Sequence, residues 1–213
     1  MQTTDETSGY RKIFQDLVLR LAHVDIAAAA DKLGLGLTEA GEAEIPFLGR
    51  TYLVSTAGVR RADRAKFYES TGSVLCHYIM NAGRHRPSGR MVTFAALAGP
   101  LFKKGSYSQG ALEHPLIRRF QGRVDELLAA VTAMGGRVAG EAGIGSVSLM
   151  VDLLPNIPLQ VIFYDRDEEF AARATLLYDE NATRFLEFEF FAVLVTIFVR
   201  GLAAFRPRPI VPV

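Results

Sequence analysis

The sequence predicts an α+β fold in which antiparallel sheets pack against several helices. Short apolar runs separated by turn residues occur in two groups, at residues 35–56 and 146–179, and each group is typical of antiparallel strands. Segments with apolar residues at helical spacing lie before, between and after these groups. The almost wholly apolar segment at residues 190–199 predicts a long apolar C-terminal helix that covers a sheet.

The first half of the chain predicts two helices, a small sheet and a third helix. Apolar residues at helical spacing begin at Tyr10, and Asp25 is placed to cap a second helix that ends at Gly34. Three extended runs at residues 35–40, 43–49 and 50–56 predict an antiparallel meander. A helix over residues 65–82 follows, and its helical wheel places Cys76 and His77 well off the apolar face.

The second half predicts one further helix, a three-stranded sheet and the C-terminal helix. A strand-like run covers residues 91–97, and a helix covers residues 122–134. Strands are predicted at residues 146–154, 157–165 and 174–179, followed by the helix over residues 186–205. No Gly/Pro-rich linker interrupts the chain, so we predict a loose tail at residues 1–9, a single domain at 10–205 and a proline-rich tail at 206–213.

Composition argues against several classes of protein. Lys plus Arg total 24 against 23 for Asp plus Glu, so no net field favours nucleic acid, and no nucleic-acid partner is expected. Cys76 is the only cysteine, which rules out an internal disulfide or a cysteine-ligated iron–sulfur cluster within the chain. The N-terminus lacks a secretory pattern, and the apolar run at 190–199 is about half the length of a transmembrane helix. We therefore expect a soluble cytoplasmic protein without a membrane contact.

Four acidic residues crowd between two predicted strands and form the first candidate site. Asp165, Asp167, Glu168 and Glu169 lie within five positions, and Asp179 follows the next strand. Carboxylate oxygens suit magnesium, calcium or manganese, so these residues are candidate ligands for a divalent metal, the one cofactor that the sequence suggests. Acid–base catalysis is a further interpretation, because clustered carboxylates perturb each other's pKa.

A capped turn is the structural alternative for the same segment. Asp167 is placed to accept backbone N–H groups from the residues that follow it. In this interpretation Phe170 is a buried anchor beneath the acids, and Phe170→Ala would cost about 3–5 kcal/mol. The three interpretations remain open at the level of sequence.

The loop "NAGRHRPSGR", residues 81–90, is the second candidate site. Its cations Arg84, Arg86 and Arg90 could meet an anion or an acidic partner, and His77 on the preceding helix is a further ligand- or partner-binding candidate. A second basic group, Arg60, Arg61, Arg64 and Lys66, is interpreted as solvated loop charge.

Motifs that would identify an enzyme are missing from the sequence. The four histidines form no zinc-binding spacing, and no GxSxG elbow accompanies the serines. The glycines at residues 135–146 follow a helix and precede a strand, the reverse of the order in a dinucleotide fingerprint. Catalytic residues therefore stay unassigned.

Three segments resemble a prokaryotic family catalogued as a domain of unknown function. They are residues 75–99, residues 114–136, and residues 153–186, where a Pro–x–x–Pro strand leads to "DEEF". The resemblance implies an α+β fold and no established catalytic residues. Some members of that family are joined to an iron–sulfur-binding segment, in anaerobes that use corrinoid and metal-cofactor chemistry. Because this chain lacks the required cysteines, the resemblance implies an iron–sulfur or corrinoid-pathway protein as a candidate partner.

Two functional hypotheses follow from these observations. The first is a non-catalytic binding module that recognises a small ligand or a protein partner in anaerobic metal or redox metabolism. The alternative is a divalent-metal-dependent enzyme that uses the acids between residues 165 and 180.

Overall fold

The computed structural model of the chain describes residues 4–99, 110–140 and 145–206. The helices within these ranges are α1 Thr4–Leu21, α2 Ile26–Leu33, α3 Glu69–Met80, α4 Phe94–Ala98, α5 His114–Phe120, α6 Val124–Ala133, α7 Ala182–Phe185 and α8 Phe188–Ala204. The strands are β1 Gly36–Leu37, β2 Ala43–Phe47, β3 Arg50–Ser55, β4 Gly58–Arg61, β5 Met91–Thr93, β6 Arg137–Gly140, β7 Ser146–Leu154, β8 Ile157–Tyr164 and β9 Arg173–Asp179. The predicted α+β class is confirmed.

The smaller sheet is the antiparallel meander β1-β2-β3-β4. Its first three strands fall within the three predicted runs, and β4 is an additional strand that the sequence analysis did not predict. β1 pairs with β2 only at Ala43 and Glu44, so Pro46 lies beyond the part of β2 that this neighbour covers. Proline is tolerated at such a position because it has no N–H to contribute to a ladder.

The larger sheet has the order β5-β9-β8-β7-β6, and all of its pairings are antiparallel. The three predicted strands of the C-terminal third form its centre. Asn156 closes the turn between β7 and β8 in a left-handed conformation, and its side-chain amide donates to the Leu33 carbonyl oxygen at 2.9 Å. The Tyr78 hydroxyl donates to the Pro155 carbonyl oxygen at 2.6 Å, so this turn is tied to α2 and α3.

Helix α3 lies at the centre of the molecule and is buried on all sides. Every residue from Thr71 to Ile79 is buried, because α1, α2, α8 and the small sheet all pack around this helix. The helical wheel placed Cys76 and His77 off a single apolar face, but along these residues α3 is buried on every face. Both side chains are buried like the rest of the helix.

The C-terminal helix is present at Phe188–Ala204, close to its predicted bounds. Its buried residues contact α3, α5, α6 and strand β7. The buried hydrophobic residues form one cluster that runs from Leu17 to Leu202 and includes side chains from both sheets. Within the described residues, no helix combines the length and the apolarity that a bilayer crossing requires.

Strand β6 and helix α7 were not predicted, and three further elements also differ from the predictions. Helix α1 begins at Thr4, so residues 4–9 belong to a helix and not to a loose tail; no proline interrupts this stretch. The strand predicted over residues 91–97 ends at Thr93, whose hydroxyl accepts the Ala96 N–H and starts α4. Helix α5 was not predicted. Residues 207–213 of the predicted proline-rich tail and residues 141–144 of the glycine-rich stretch lie outside the described residues.

Candidate functional site

The acidic segment forms a capped turn at the end of β8. The Asp165 carboxylate accepts the N–H groups of Gly122 and Arg166 at 2.7 and 2.8 Å. The Asp167 carboxylate accepts those of Phe170 and Glu169 at 2.7 and 2.9 Å. The same two backbone N–H groups hold the pKa of Asp167 below its usual value. The capped-turn interpretation therefore describes what this segment does in the fold.

Phe170 does not anchor the turn. Its side chain is 63% exposed, so the prediction that it lies buried beneath the acids was wrong. The turn extends past the end of the β8–β9 ladder at Tyr164, and backbone hydrogen bonds to Asp167 close it without help from the core. The chain reaches the core again only at Ala172. A cost of 3–5 kcal/mol for Phe170→Ala, which assumes a buried ring, is therefore no longer expected.

Asp179 lies at the opposite end of the sheet from the acidic turn. In the β8–β9 register Tyr164 pairs with Arg173 and Leu159 pairs with Tyr178, so the length of β9 separates the two sites. Seven strand residues span about 20 Å, which places Asp179 out of reach of the carboxylates at 165–169. The described residues contain no group of three or more His, Cys, Asp or Glu side chains arranged to hold a metal ion.

Asp179 is the anchor of the loop at residues 81–90. Its buried carboxylate accepts the N–H groups of Ser88, Gly89 and Asn181 at 3.0, 2.7 and 2.9 Å, and the Ser88 hydroxyl at 3.2 Å. Burial alone would raise the pKa of Asp179, but these hydrogen bonds outweigh it and hold the pKa below its usual value. One metal candidate from the sequence thus positions the loop that carries the anion-binding candidates.

The cations of this loop are largely neutralised by neighbouring acids. Arg84 pairs with Asp31 at 2.9 Å, and Arg90 pairs with Glu180 at 3.1 Å. Arg86 is exposed and has no ion pair among the residues that the structure describes. The loop therefore presents one uncompensated cation instead of the three that the sequence suggested.

His77 does not join the loop cations. It lies in the interface between α3 and α8, where its ring stacks on Phe190 at 4.0 Å and its Nε2 is 3.5 Å from a carboxylate oxygen of Glu187. Burial lowers the pKa of His77, and the charge of Glu187 opposes that shift only in part. A neutral, stacked histidine between two helices is a packing residue in this structure.

A large cleft within the described residues was not predicted from sequence. It has a volume of about 1,120 Å³ and lies between the β2–β3 hairpin, the start of α3, and the C-terminal ends of α6 and α8. Its lining includes two groups of side chains, one of cations and one of aromatic residues. The cations are Arg50, Lys66, Arg200 and Arg206, and the aromatic residues are Phe47, Tyr52, Phe67, Tyr68 and Phe205.

The charged side chains that line this cleft are all positive. No Asp or Glu is among the residues that line it, and none of its four cations forms an ion pair within the described part of the chain. The first turn of α3 contributes Ser70 and Thr71 to the lining, whereas α6 and α8 contribute their C-terminal, negative ends, so the positive charge of the cleft comes from its side chains. The sequence offered one signal of this site, the basic group that begins at Arg60, which was interpreted as solvated charge.

Most of the chain matches the model of a known protein family. The model of the family described as Domain of unknown function (DUF3786) matches residues 25–201. The chain belongs to this family. The range matched by the DUF3786 family covers both sheets, the acidic turn, the 81–90 loop and the cleft as far as Gly201. No curated protein and no solved structure matches the chain.

Proposed function

We propose that this DUF3786 protein is a binding module whose site is the basic cleft and whose ligand is an anion. One observation carries the proposal: four cations line a cleft of about 1,120 Å³, and no carboxylate is among the residues that line it. Uncompensated positive charge in a concave, partly apolar site attracts a negatively charged ligand. The cleft replaces the 81–90 loop as the preferred binding surface, because Arg84 and Arg90 already have acidic partners.

The biological setting of the proposal rests on the family resemblance. That resemblance supports a prokaryotic, cytoplasmic protein that acts beside an iron–sulfur or corrinoid-pathway protein in anaerobic metal or redox metabolism. A buried, unpaired Cys76 suits a reducing compartment. We do not extend the proposal to a metal-dependent enzyme, since the acids that would hold the metal lie at two ends of one strand and accept backbone N–H groups.

The test measures the binding of inorganic tripolyphosphate by isothermal titration calorimetry at low ionic strength, where exposed charges are least screened. Arg50→Ala and Arg200→Ala should each weaken binding by about fivefold or more, the effect of losing a charge-assisted contact. Arg86→Ala is the matched control, because Arg86 is exposed and without an ion pair but lies in the other loop. The Arg86→Ala variant should bind tripolyphosphate with the same affinity as the parent protein.

Two results would contradict the proposal. A parent protein that shows no saturable binding of tripolyphosphate would remove the anion site. An Arg86→Ala variant that loses as much affinity as Arg200→Ala would return the binding surface to the 81–90 loop.

A further inference from the structure

A second basin lies along the turn between β4 and α3 and shares part of its lining with the cleft. This basin has a volume of about 590 Å³, and Lys66 and Phe67 line both spaces. Its remaining lining residues are Arg60, Arg61, Arg64 and Ala65. The two spaces therefore share one short segment of chain.

Two of the cations that line this basin form ion pairs, which leaves the other two for a ligand. Arg60 pairs with Glu42, its Nε lying 2.9 Å from the carboxylate, and Arg61 pairs with Asp63. Asp63 also accepts the Ala65 N–H at 3.1 Å. Arg64 and Lys66 are exposed and have no ion pair among the described residues.

Arg64 is held in a conformation that arginine rarely adopts. Its φ of 59° lies in the left-handed region, which non-glycine residues occupy at a cost. Its N–H donates to the Arg61 carbonyl oxygen at 3.0 Å, so the conformation is fixed by the turn. A charged side chain is thus presented at a bend where glycine would be less strained.

A row of packed aromatic side chains lies beside these cations. Phe47, Tyr52 and Phe67 pack edge to face, with ring centroids 5.7 and 5.8 Å apart along the series. Tyr68 follows Phe67 and lines the cleft, but its side chain is 81% exposed. An exposed ring next to uncompensated cations is the combination that proteins use to stack a base and hold its phosphates.

We propose that the ligand of the cleft is of the nucleotide class, a flat aromatic ring joined to a phosphate chain. The ring stacks on Tyr68, and the phosphates contact Arg64 and Lys66, the cation that lines both spaces. The second basin alone, at about 590 Å³, lies within the range of about 300–1,000 Å³ that is typical of small-molecule sites. This inference rests on the proposed anion-binding function, and it adds that the anion carries an aromatic ring.

The experiment compares three probes, ATP, tripolyphosphate and adenosine, and adds a hexaglutamate peptide as an acidic but ring-free competitor. Binding is measured by calorimetry for the parent, Tyr68→Ala, Lys66→Ala and the control Tyr10→Ala, an exposed tyrosine on α1 outside the cleft. Thermal melts confirm that each variant is folded. Both tyrosines are at the surface, so neither substitution removes a buried core residue.

We expect Tyr68→Ala to weaken ATP binding by about tenfold or more, the loss typical of one stacked base, and to leave tripolyphosphate binding unchanged. Lys66→Ala should weaken both probes, and Tyr10→Ala should weaken neither. ATP should also bind more tightly than tripolyphosphate, because only ATP brings a ring.

The failures of the two proposals are distinguishable. If tripolyphosphate binds and ATP binds no more tightly, the nucleotide inference is overturned and the anion site stands. The same holds if Tyr68→Ala does not weaken the binding of ATP. If hexaglutamate binds more tightly than ATP, the ligand is an acidic peptide and the inference is overturned. If none of the anionic probes binds, both proposals fail.

Discussion

At the scale of single residues, Asp179 shows how a buried carboxylate organises a loop. A buried ionised group is costly unless hydrogen bonds replace its hydration, and Asp179 accepts three backbone N–H groups and one hydroxyl. These donors come from Ser88 and Gly89 on one side and Asn181 on the other. One side chain therefore joins residues about 90 positions apart in the chain.

We expect Asp179→Asn to lower the free energy of unfolding by about 2–3 kcal/mol at pH 7, because the amide supplies one acceptor oxygen and no charge. The pKa of Asp179 is lowered in the folded protein, so its carboxylate stabilises the fold above the ordinary value of 3.8 and this contribution is lost as pH falls through the folded pKa. The stability gap between parent and variant, measured by urea unfolding from pH 7 downwards, should narrow below that value.

The control for this prediction is Glu168→Gln, which removes a charge from an exposed side chain of the acidic turn. Its stability should stay within about 0.5 kcal/mol of the parent across the same pH range. A gap for Asp179→Asn that is the same at every pH would show that shape, and not charge, explains the loss.

At the scale of elements, the sequence predicts what local periodicity determines and misses what neighbours determine. The alternation Leu149, Val151, Leu153 appears as buried positions of β7, as expected of a strand with one packed face. Thr93 ended a predicted strand early, because a hydroxyl that can cap a helix overrides the β preference of the apolar residues around it. The burial of His77 was not predictable, since it depends on α8, which lies more than 100 residues away in the chain.

The β2–β3 hairpin illustrates how one element forms a wall of the cleft. Leu48 and Gly49 both have positive φ, which matches the two-residue turn that antiparallel strands prefer. Gly49 also approaches α6 so closely that an added Cβ would overlap the Ala133 carbonyl oxygen. The hairpin and the helix therefore meet backbone to backbone at the cleft.

We expect Gly49→Ala to cost about 2–4 kcal/mol, the sum of left-handed strain and a steric clash that must push the hairpin away from α6. Gly41→Ala is the matched control, because Gly41 has nearly the same φ, 75° against 74°, and open space around it. It should cost only the strain, about 1–2 kcal/mol. Urea unfolding of both variants gives the comparison, and equal losses would mean that the close approach to α6 contributes nothing.

At the scale of the whole molecule, the cleft is assembled from parts that no local motif connects. Arg50 comes from a hairpin, Lys66 from a turn and Arg200 from the last helix. Sequence reasoning could identify the cations of the 60–66 segment but had no means of placing Arg200 opposite them. The acidic cluster and the 81–90 loop were prominent because their charges are adjacent in sequence, and most of those charges have roles within the fold.

Cys76 allows the predicted single domain at residues 10–205 to be tested. The thiol is fully buried at the centre of α3, and burial raises its pKa to about 12. It can therefore react with a thiol reagent only when the structure around α3 opens. Because both sheets contribute to one core cluster, we expect that opening to require unfolding of the whole domain.

The measurement compares two free energies in the same urea series, one from the labelling rate of Cys76 with a disulfide reagent and one from circular dichroism. We expect them to agree, because a single cooperative unit exposes its central helix only on global unfolding. Leu19→Cys in a Cys76→Ala background is the control, since Leu19 is 71% exposed and should be labelled at the rate of a free thiol. If Cys76 reacts in the absence of urea much faster than global unfolding allows, α3 separates from one of the sheets on its own, and the two sheets belong to units that unfold independently.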